Sequence, residues 1–245
     1  MKGMAKTLIG VIRNVMPAPV ISMYRNLVAT DTRDSQTGTE EERLEAMVGP
    51  RGVWQESRDF QINFLRRNGL ERGNSLLDIG CGPLRGGIPL IRYLDEARYT
   101  GIDIRQHVIE EAWSQIRNED LTKKAPNVVV STSFGRAELG DTRFDYIWCF
   151  QVLYHLDDQL VEDCLAQVTC RLADDGSCYA NVNLLSEEGR WKEFPYVRRT
   201  LEFYEAIARR NGLQTRDLGQ QRDWGYTNKV PGQYDHMLEF KLAKA

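Results

Sequence analysis

Residues 76–87, LLDIGCGPLRGG, join a carboxylate to a glycine-rich loop. Asp78 follows an apolar pair typical of a buried strand, and four glycines lie just beyond it. Glycine is needed where a backbone turns tightly or approaches a ligand closely. Loops that bind phosphate offer backbone N–H groups to an anion, so a carboxylate beside this loop favours a ligand that carries positive charge.

A second carboxylate, Asp103, ends the strand-like segment YTGIDI, roughly 20 residues after the glycines. At the carboxyl end of a parallel strand, such an acid accepts hydrogen bonds from both hydroxyls of a ribose. The two features together predict a site for a nucleoside cofactor. The GxGxxG pattern of a nicotinamide dinucleotide site fails, because Arg85 stands at its third glycine. S-adenosylmethionine carries an ammonium, a sulfonium and a carboxylate but no phosphate, and therefore fits better.

The elements that hold these residues alternate between strand and helix. Strand-like SLLDI, YTGIDI, NVVVS, FDYIWCF and SCYANVNLL are separated by segments with apolar residues at helical spacing. This order predicts right-handed βαβ units and a mostly parallel sheet covered on both faces. Near the end of the chain, LQTRDLG and HMLEFKL follow one another without an intervening helix, which predicts an antiparallel pair at the sheet edge.

Composition limits the classes of function. A chain of 245 residues with 42% hydrophobic content fits one large domain, and a net charge of −3 does not favour nucleic acid as a partner. The five cysteines form no CxxC pair, so we expect reduced thiols in a cytoplasm. We predict no metal site, because Asp157 and Asp158 are better explained as a helix start. No apolar run is long enough to span a membrane, and the sequence predicts no oligomeric state.

The first 52 residues differ from the rest and are predicted to form an N-terminal helical extension, followed by a domain over residues 53–245. Within residues 1–20, apolar side chains recur at helical spacing and the charged residues are basic. Two interpretations stay open: a helix packed over the domain as a lid of its ligand cleft, or a weak contact with a membrane surface. Residues 31–45 are polar and acidic, as in a linker or an exposed helix start.

The stretch DIGCG at residues 78–82 resembles the first motif of the class I S-adenosylmethionine-dependent methyltransferases. The later segments FDYIWCF, QVLYH and LADDGSCYANV and the final antiparallel pair are similar to that family's other landmarks, in the same order. The resemblance covers about residues 53–245. It extends to bacterial enzymes of polysaccharide and other small-molecule pathways, and it implies a Rossmann-like, doubly wound α/β fold with seven strands. One departure is Leu84, which replaces the third glycine of the motif.

The resemblance also implies roles for individual residues. The glycine loop, with Asp78, Gly80, Cys81 and Gly82, would hold the methionyl part of the cofactor, and Asp103 the ribose. Ile104, Ser133 and Phe134 would contact the adenine, and Gln151 would border the reacting methyl group. The structural alternatives are that Asp78 caps a turn, that Phe134 belongs to the core and that Gln151 binds backbone.

Transfer of a methyl group to an alcohol requires the loss of a proton, and His155 in QVLYHL is the candidate base. Its alternative role is to support the next helix. Tyr154 is the candidate group that positions the acceptor. Aromatic and basic residues after the fifth strand form a candidate site for an anionic or sugar-bearing acceptor: Trp191, Phe194, Tyr196, Arg198 and Arg199.

We therefore predict an enzyme that methylates a small molecule, most simply a hydroxyl of a sugar or related metabolite. Methylation of nitrogen or carbon in another metabolite is the first alternative. A catalytically silent domain that binds the cofactor is the second, and a nicotinamide-dependent oxidoreductase is a distant third.

Overall fold

The computed structural model describes residues 39–49, 52–185, 188–191, 194–227 and 231–244. The helix predicted within residues 1–20 lies outside this range. The helices are α1 (Glu40–Val48), α2 (Trp54–Arg67), α3 (Gly87–Tyr93), α4 (Gln106–Asn118), α5 (Asp158–Arg171) and α6 (Leu201–Arg210). The strands are β1 (Leu76–Ile79), β2 (Tyr99–Asp103), β3 (Asn127–Val130), β4 (Phe144–Cys149), β5 (Leu172–Val182), β6 (Gly189–Trp191), β7 (Phe194–Tyr196), β8 (Leu213–Gln220) and β9 (His236–Leu242).

Seven strands form one sheet in the order β3-β2-β1-β4-β5-β9-β8. The first five of these are parallel, whereas β9 runs antiparallel to both β5 and β8. This confirms the predicted mostly parallel sheet with an antiparallel pair at its edge. Strands β6 and β7 form a separate two-stranded sheet that the sequence analysis did not predict.

Side chains alternate between the two faces of the sheet, and each face is covered by helices. On β1, Leu77 and Ile79 belong to the core beneath α5 and α6, whereas Leu76 packs into the core beneath α2, α3 and α4. The same alternation directs Asp78 to the face of Leu76. The doubly wound architecture thus places one carboxylate at the carboxyl end of a fully buried strand.

Local signals explain where several helices begin and end. Helix α1 begins with a capping box, in which the Thr39 hydroxyl accepts from the Glu42 amide and the Glu42 carboxylate accepts from the Thr39 amide. Asp157 caps α5 by accepting a hydrogen bond from the Leu160 amide at 2.8 Å. The aspartates at 157 and 158 therefore start a helix, as predicted. No helix in the described part of the chain is long and apolar enough to cross a membrane.

Candidate active site

The glycine loop after β1 is tied to the end of β2. The amides of Gly80 and Cys81 both donate to the Ile102 carbonyl, at 2.8 and 3.0 Å. Gly80 has a φ of 75°, and a Cβ added there would lie 2.5 Å from Cγ2 of Val152. The loop can pass this close to the segment that follows β4 only because residue 80 has no side chain.

Leu84, the departure from the family motif, keeps a left-handed backbone with a φ of 66°. Its side chain is fully buried in the core beneath α3, and this burial offsets the cost of about 1–2 kcal/mol for that conformation. The close approach moves along the loop to Gly86, where an added Cβ would lie 2.2 Å from Oε1 of Gln61. The loop therefore retains its tight course with a leucine in place of the third glycine.

Asp103 is almost fully buried beside this loop, and its two oxygens lie in a network of donors. Oδ2 accepts from the Gly82 amide at 3.2 Å, and Oδ1 accepts from the amide and Nε of Arg105, both at 3.0 Å. Arg105 also donates from Nη1 to the Met47 carbonyl at 2.8 Å. The ion pair thus connects the carboxylate predicted to bind ribose to helix α1. The sequence analysis missed Arg105, although it stands two residues after Asp103.

A cavity of about 760 Å³ opens at the carboxyl ends of β1, β2 and β4. Its volume lies within the range of roughly 300–1,000 Å³ that is usual for small-molecule and cofactor sites. The segments that line it include residues 47–49, 78–81, 85–86, 102–105, 131–132, 150–152 and 154–156, together with Phe194 and Tyr196. An adenosyl group and a small acceptor therefore have room beside the glycine loop.

Most of the side chains predicted for the site line this cavity: Asp78, Gly80, Cys81, Asp103, Ile104, Phe134, Gln151, Tyr154 and His155. Two do not. The Ser133 hydroxyl accepts from the Ala137 amide within its own loop, and the neighbouring Ser131 and Thr132 line the cavity instead. Gly82 lies behind the wall, where its amide binds Asp103 and an added Cβ would lie 2.7 Å from Val48.

Asp78 lies at the base of the cavity and is fully enclosed. The Tyr99 hydroxyl donates to its Oδ2 at 2.7 Å. Burial raises the pKa of Asp78 to about 7; the hydrogen bond from Tyr99 opposes this rise and the nearby Asp103 adds to it. The carboxyl group therefore exchanges a proton near neutral pH, and a cation bound next to it favours its charged form.

His155 and Tyr154 belong to an aromatic wall of the same cavity, and Phe194 in this wall lies 6.0 Å from the Arg105 guanidinium. The His155 ring lies 4.5 Å from the Tyr154 ring and 5.4 Å from Phe194, and Tyr154 and Tyr196 are 4.5 Å apart. Nδ1 of His155 lies 2.6 Å from the Pro195 carbonyl, which can only accept, so Nδ1 carries the proton. Burial lowers the pKa of His155 to about 4, and the imidazole is neutral at physiological pH.

The turn after β4 is held by polar side chains, of which Asn181 and Asp235 were not singled out by the sequence analysis. Gln151 has a φ of 58°, and its amide donates to Oδ1 of Asn181 at 2.5 Å. Nδ2 of Asn181 donates to Asp235 at 3.0 Å, and the Tyr196 hydroxyl donates to the same carboxylate at 3.3 Å. Burial raises the pKa of Asp235 to about 7. This network fixes a strained turn, which explains how Gln151 is presented to the cavity.

The structure separates the residues predicted for an acceptor site. Arg199 is buried, binds Asp158 at 2.8 Å and donates to the Leu156 carbonyl at 2.7 Å. Arg198 donates to the Leu184 carbonyl at 3.1 Å. Both arginines hold the fold together and neither lines the cavity, whereas the aromatic residues Phe194 and Tyr196 do.

A protein-family model described as a methyltransferase domain matches residues 77–178. An uncharacterized methyltransferase of Schizosaccharomyces pombe is 28% identical over 92 residues, which is 36% of this chain and 33% of that protein. A probable methyltransferase of Aspergillus luteorubrus is 26% identical over 90 residues, or 36% of this chain and 32% of that protein. The matches thus span about a third of the length of these curated relatives.

Solved structures share the fold over a larger part of the chain. Magnesium protoporphyrin IX methyltransferase from Synechocystis with bound S-adenosylmethionine superposes with a TM-score of 0.62 at 17% identity, over 89% of this chain and 97% of that one. An S-adenosylmethionine-dependent methyltransferase from Clostridium acetobutylicum gives a TM-score of 0.58 at 15% identity, over 78% and 92% of the two chains. The matched domain, the course of the glycine loop and the fold are thus similar to those of S-adenosylmethionine-dependent methyltransferases.

Proposed function

We propose that the chain transfers a methyl group from S-adenosylmethionine to a hydroxyl of a small acceptor, such as a sugar or a related metabolite. The observation that carries this proposal is the composition of one cavity. The buried carboxylates Asp78 and Asp103, which suit an ammonium and a ribose, line it together with aromatic side chains and a neutral histidine. The carboxylates fit the cofactor, and the aromatic side chains and the histidine fit an uncharged ring or chain that carries a hydroxyl.

S-adenosylmethionine supplies a methyl group that is already activated as a sulfonium. The task of the chain is to hold the acceptor oxygen in line with that methyl group and to exclude water, which in favourable cases contributes about 7–11 kcal/mol to the barrier reduction. The aromatic wall of Tyr154, Phe194 and Tyr196 serves the first purpose. The end of α1 serves to exclude water, because Met47, Val48 and Gly49 line the cavity.

His155 is proposed to accept the hydroxyl proton at Nε2, since Nδ1 is bound to the Pro195 carbonyl. The hydroxyl becomes strongly acidic as its oxygen attacks the methyl group, so an imidazole with a pKa near 4 accepts its proton during the transfer step. The proton then passes to solvent. A strong base acting before methyl transfer is unnecessary, which agrees with the depressed pKa of this histidine.

Replacement of His155 by glutamine is expected to lower methyl transfer by about 100-fold and to leave cofactor affinity unchanged. The imidazole signal of His155 in a ¹H–¹⁵N NMR spectrum of the wild-type protein is assigned by its absence from the variant. This signal should titrate near pH 4, because burial lowers the pKa of His155. Full activity in the variant would remove His155 from the mechanism, and titration near the ordinary value of about 6.5 would contradict the burial of its imidazole.

Binding of S-adenosylhomocysteine is expected to tighten as the pH rises from about 6 to about 8. Asp78 is half protonated near pH 7 and attracts the ammonium of the ligand only when charged, so binding below that pH releases a proton. The folded-state pKa of Asp78 is raised, so its contribution to the stability of the ligand-free protein falls as the pH rises from about 4 through about 7.

Calorimetry in two buffers with different ionisation enthalpies measures this proton release. Methylthioadenosine, which lacks the ammonium, is the matched ligand, and its affinity should depend much less on pH. The Asp78→Asn variant should bind S-adenosylhomocysteine without that pH dependence. The same dependence in the variant as in the wild type would assign the proton to another group, such as Asp235.

The N-terminal extension, residues 1–52, is proposed to act as a lid over the cofactor end of the domain formed by residues 53–245. Support comes from α1, where Met47, Val48 and Gly49 line the cavity and the Met47 carbonyl accepts from Arg105. Ligand binding at Asp103 is thereby linked to the position of this helix.

The acceptor is identified by incubation of the protein with methyl-labelled S-adenosylmethionine and pools of small metabolites, followed by mass spectrometry. Label in a methyl ether supports the proposal. Label on nitrogen or carbon supports the first alternative, and cofactor binding without transfer to any pool supports a silent domain.

A further inference from the structure

Arg85 lies in the glycine loop at the wall of the cavity and is not used by the mechanism described above. Its side chain is 6% exposed. Nη2 donates to Oε1 of Gln151 at 2.8 Å, whereas Nε is buried without a hydrogen-bond partner. A guanidinium carries five N–H donors, so most of the capacity of this group remains to be satisfied.

Arg85 also lacks an acidic partner. Among the residues that the structure describes, no carboxylate lies within ion-pair distance of it. Burial lowers the pKa of Arg85, and Glu45 only weakly opposes this from farther away. Oε1 of Glu45 accepts from the amides of Gly52, Val53 and Trp54 instead, at 2.8–3.1 Å. A buried charge without a counterion is costly unless a ligand supplies one.

The other buried arginines that the structure describes have carboxylate or carbonyl partners. Arg105 is paired with Asp103 and Arg199 with Asp158. Arg171, whose Nε is also without a partner, donates its terminal nitrogens to three backbone carbonyls and does not line the cavity. Arg85 combines burial, a missing counterion and direct access to the cavity.

Space for a ligand exists beside the guanidinium. Arg85 and Gly49 both line the cavity, so a ligand held there reaches the guanidinium. A Cβ added to Gly49 would touch Nη1 of Arg85 at 3.4 Å, so a side chain at this position would narrow the approach. The Tyr154 ring is part of the same wall. We propose that Arg85 binds the carboxylate of a ligand held in the cavity, which deepens the proposed function and rests on it.

A single carboxylate matches this site better than a phosphate. One planar guanidinium forms two parallel hydrogen bonds with a carboxylate. A phosphate dianion would face the carboxylates of Asp78 and Asp103 with one unpaired arginine to balance it. The carboxylate has two sources: the methionyl end of the cofactor, or an acid group on the acceptor, which would make the acceptor a hydroxy acid.

Calorimetry with S-adenosylhomocysteine and methylthioadenosine tests the first source. In Arg85→Met, the affinity for S-adenosylhomocysteine should fall about 10- to 100-fold, while methylthioadenosine, which has no carboxylate, binds as it does to the wild type. Arg85→Lys should recover part of the loss. The control is Arg98→Met, an exposed arginine at the start of β2, which should change neither affinity.

The second source is tested with 4-hydroxybenzoate, titrated into the complex with S-adenosylhomocysteine, and with uncharged 4-hydroxybenzyl alcohol as its matched ligand. If the acceptor supplies the carboxylate, Arg85→Met binds S-adenosylhomocysteine normally and loses at least tenfold in affinity for 4-hydroxybenzoate alone.

The melting temperature of ligand-free Arg85→Met should equal or exceed that of the wild type, because an apolar chain replaces an uncompensated charge. A purely structural arginine would give a lower melting temperature.

The inference is overturned if Arg85→Met shows no loss for either carboxylate ligand, including the case in which 4-hydroxybenzoate does not bind the wild type. Failure of the proposed function gives a different pattern, since neither S-adenosylhomocysteine nor methylthioadenosine would then bind the wild-type protein.

Discussion

The Asp103→Asn variant is expected to bind S-adenosylhomocysteine at least 100-fold more weakly than the wild-type protein. The substitution removes a charged acceptor for the ribose hydroxyls and turns one of the two oxygens that accept from Gly82 and Arg105 into a donor. It also leaves Arg105 buried without its partner, which costs about 3–5 kcal/mol of folding stability. Calorimetry measures the first effect and urea unfolding the second.

The double variant Asp103→Asn with Arg105→Met separates these two effects. It removes both members of the buried pair, so stability should return towards the wild-type value while cofactor binding stays weak. Equal affinity for S-adenosylhomocysteine in the double variant and the wild type would show that Asp103 serves the fold and not the ligand.

The Gly80→Ala variant is expected to lose both stability and cofactor affinity. The new Cβ would lie 2.5 Å from Val152, and the φ of 75° is one that alanine adopts at a cost of about 1–2 kcal/mol. Relief of the contact must move the loop or the turn that carries Gln151, and both border the cavity. We expect a total destabilisation of about 2–4 kcal/mol in urea unfolding.

Gly212 offers a matched control, because its φ is 73° and an added Cβ meets nothing within 4 Å. Gly212→Ala should lose about 1–2 kcal/mol of stability and bind S-adenosylhomocysteine normally. Val152→Ala combined with Gly80→Ala should recover the part of the loss that comes from the steric contact. If Gly80→Ala behaves like Gly212→Ala, the close approach of loop and turn does not shape the site.

Sequence reasoning succeeded where the signal is local. The apolar runs of β1 and β2, the helical spacing in α4 and α5, and the absence of a helix between β8 and β9 each follow from neighbouring residues. The glycine loop and the acid at position 103 were predicted to lie together for the same reason, since both belong to short patterns at strand ends, and the Gly82 amide does contact Asp103.

Contacts between distant residues were not predictable in this way. Asn181 reaches the amide of Gln151 across 30 positions, and Arg199 reaches Asp158 across 41. Nothing in the local sequence distinguishes a buried arginine that binds Asp158 from an exposed one ready for an anion, which is why Arg199 was assigned to an acceptor site. The sequence analysis noted only that Arg85 stands where a dinucleotide-binding loop has its third glycine. That its side chain is buried without a counterion could be recognised only from the fold.

Calorimetric titration of the wild-type protein with S-adenosylhomocysteine and, separately, with NAD tests the central claim most directly. The cavity beside Gly80 and Asp103 predicts saturable binding of S-adenosylhomocysteine at one site per chain and no binding of NAD. Binding of NAD in the absence of any binding of S-adenosylhomocysteine would contradict the account.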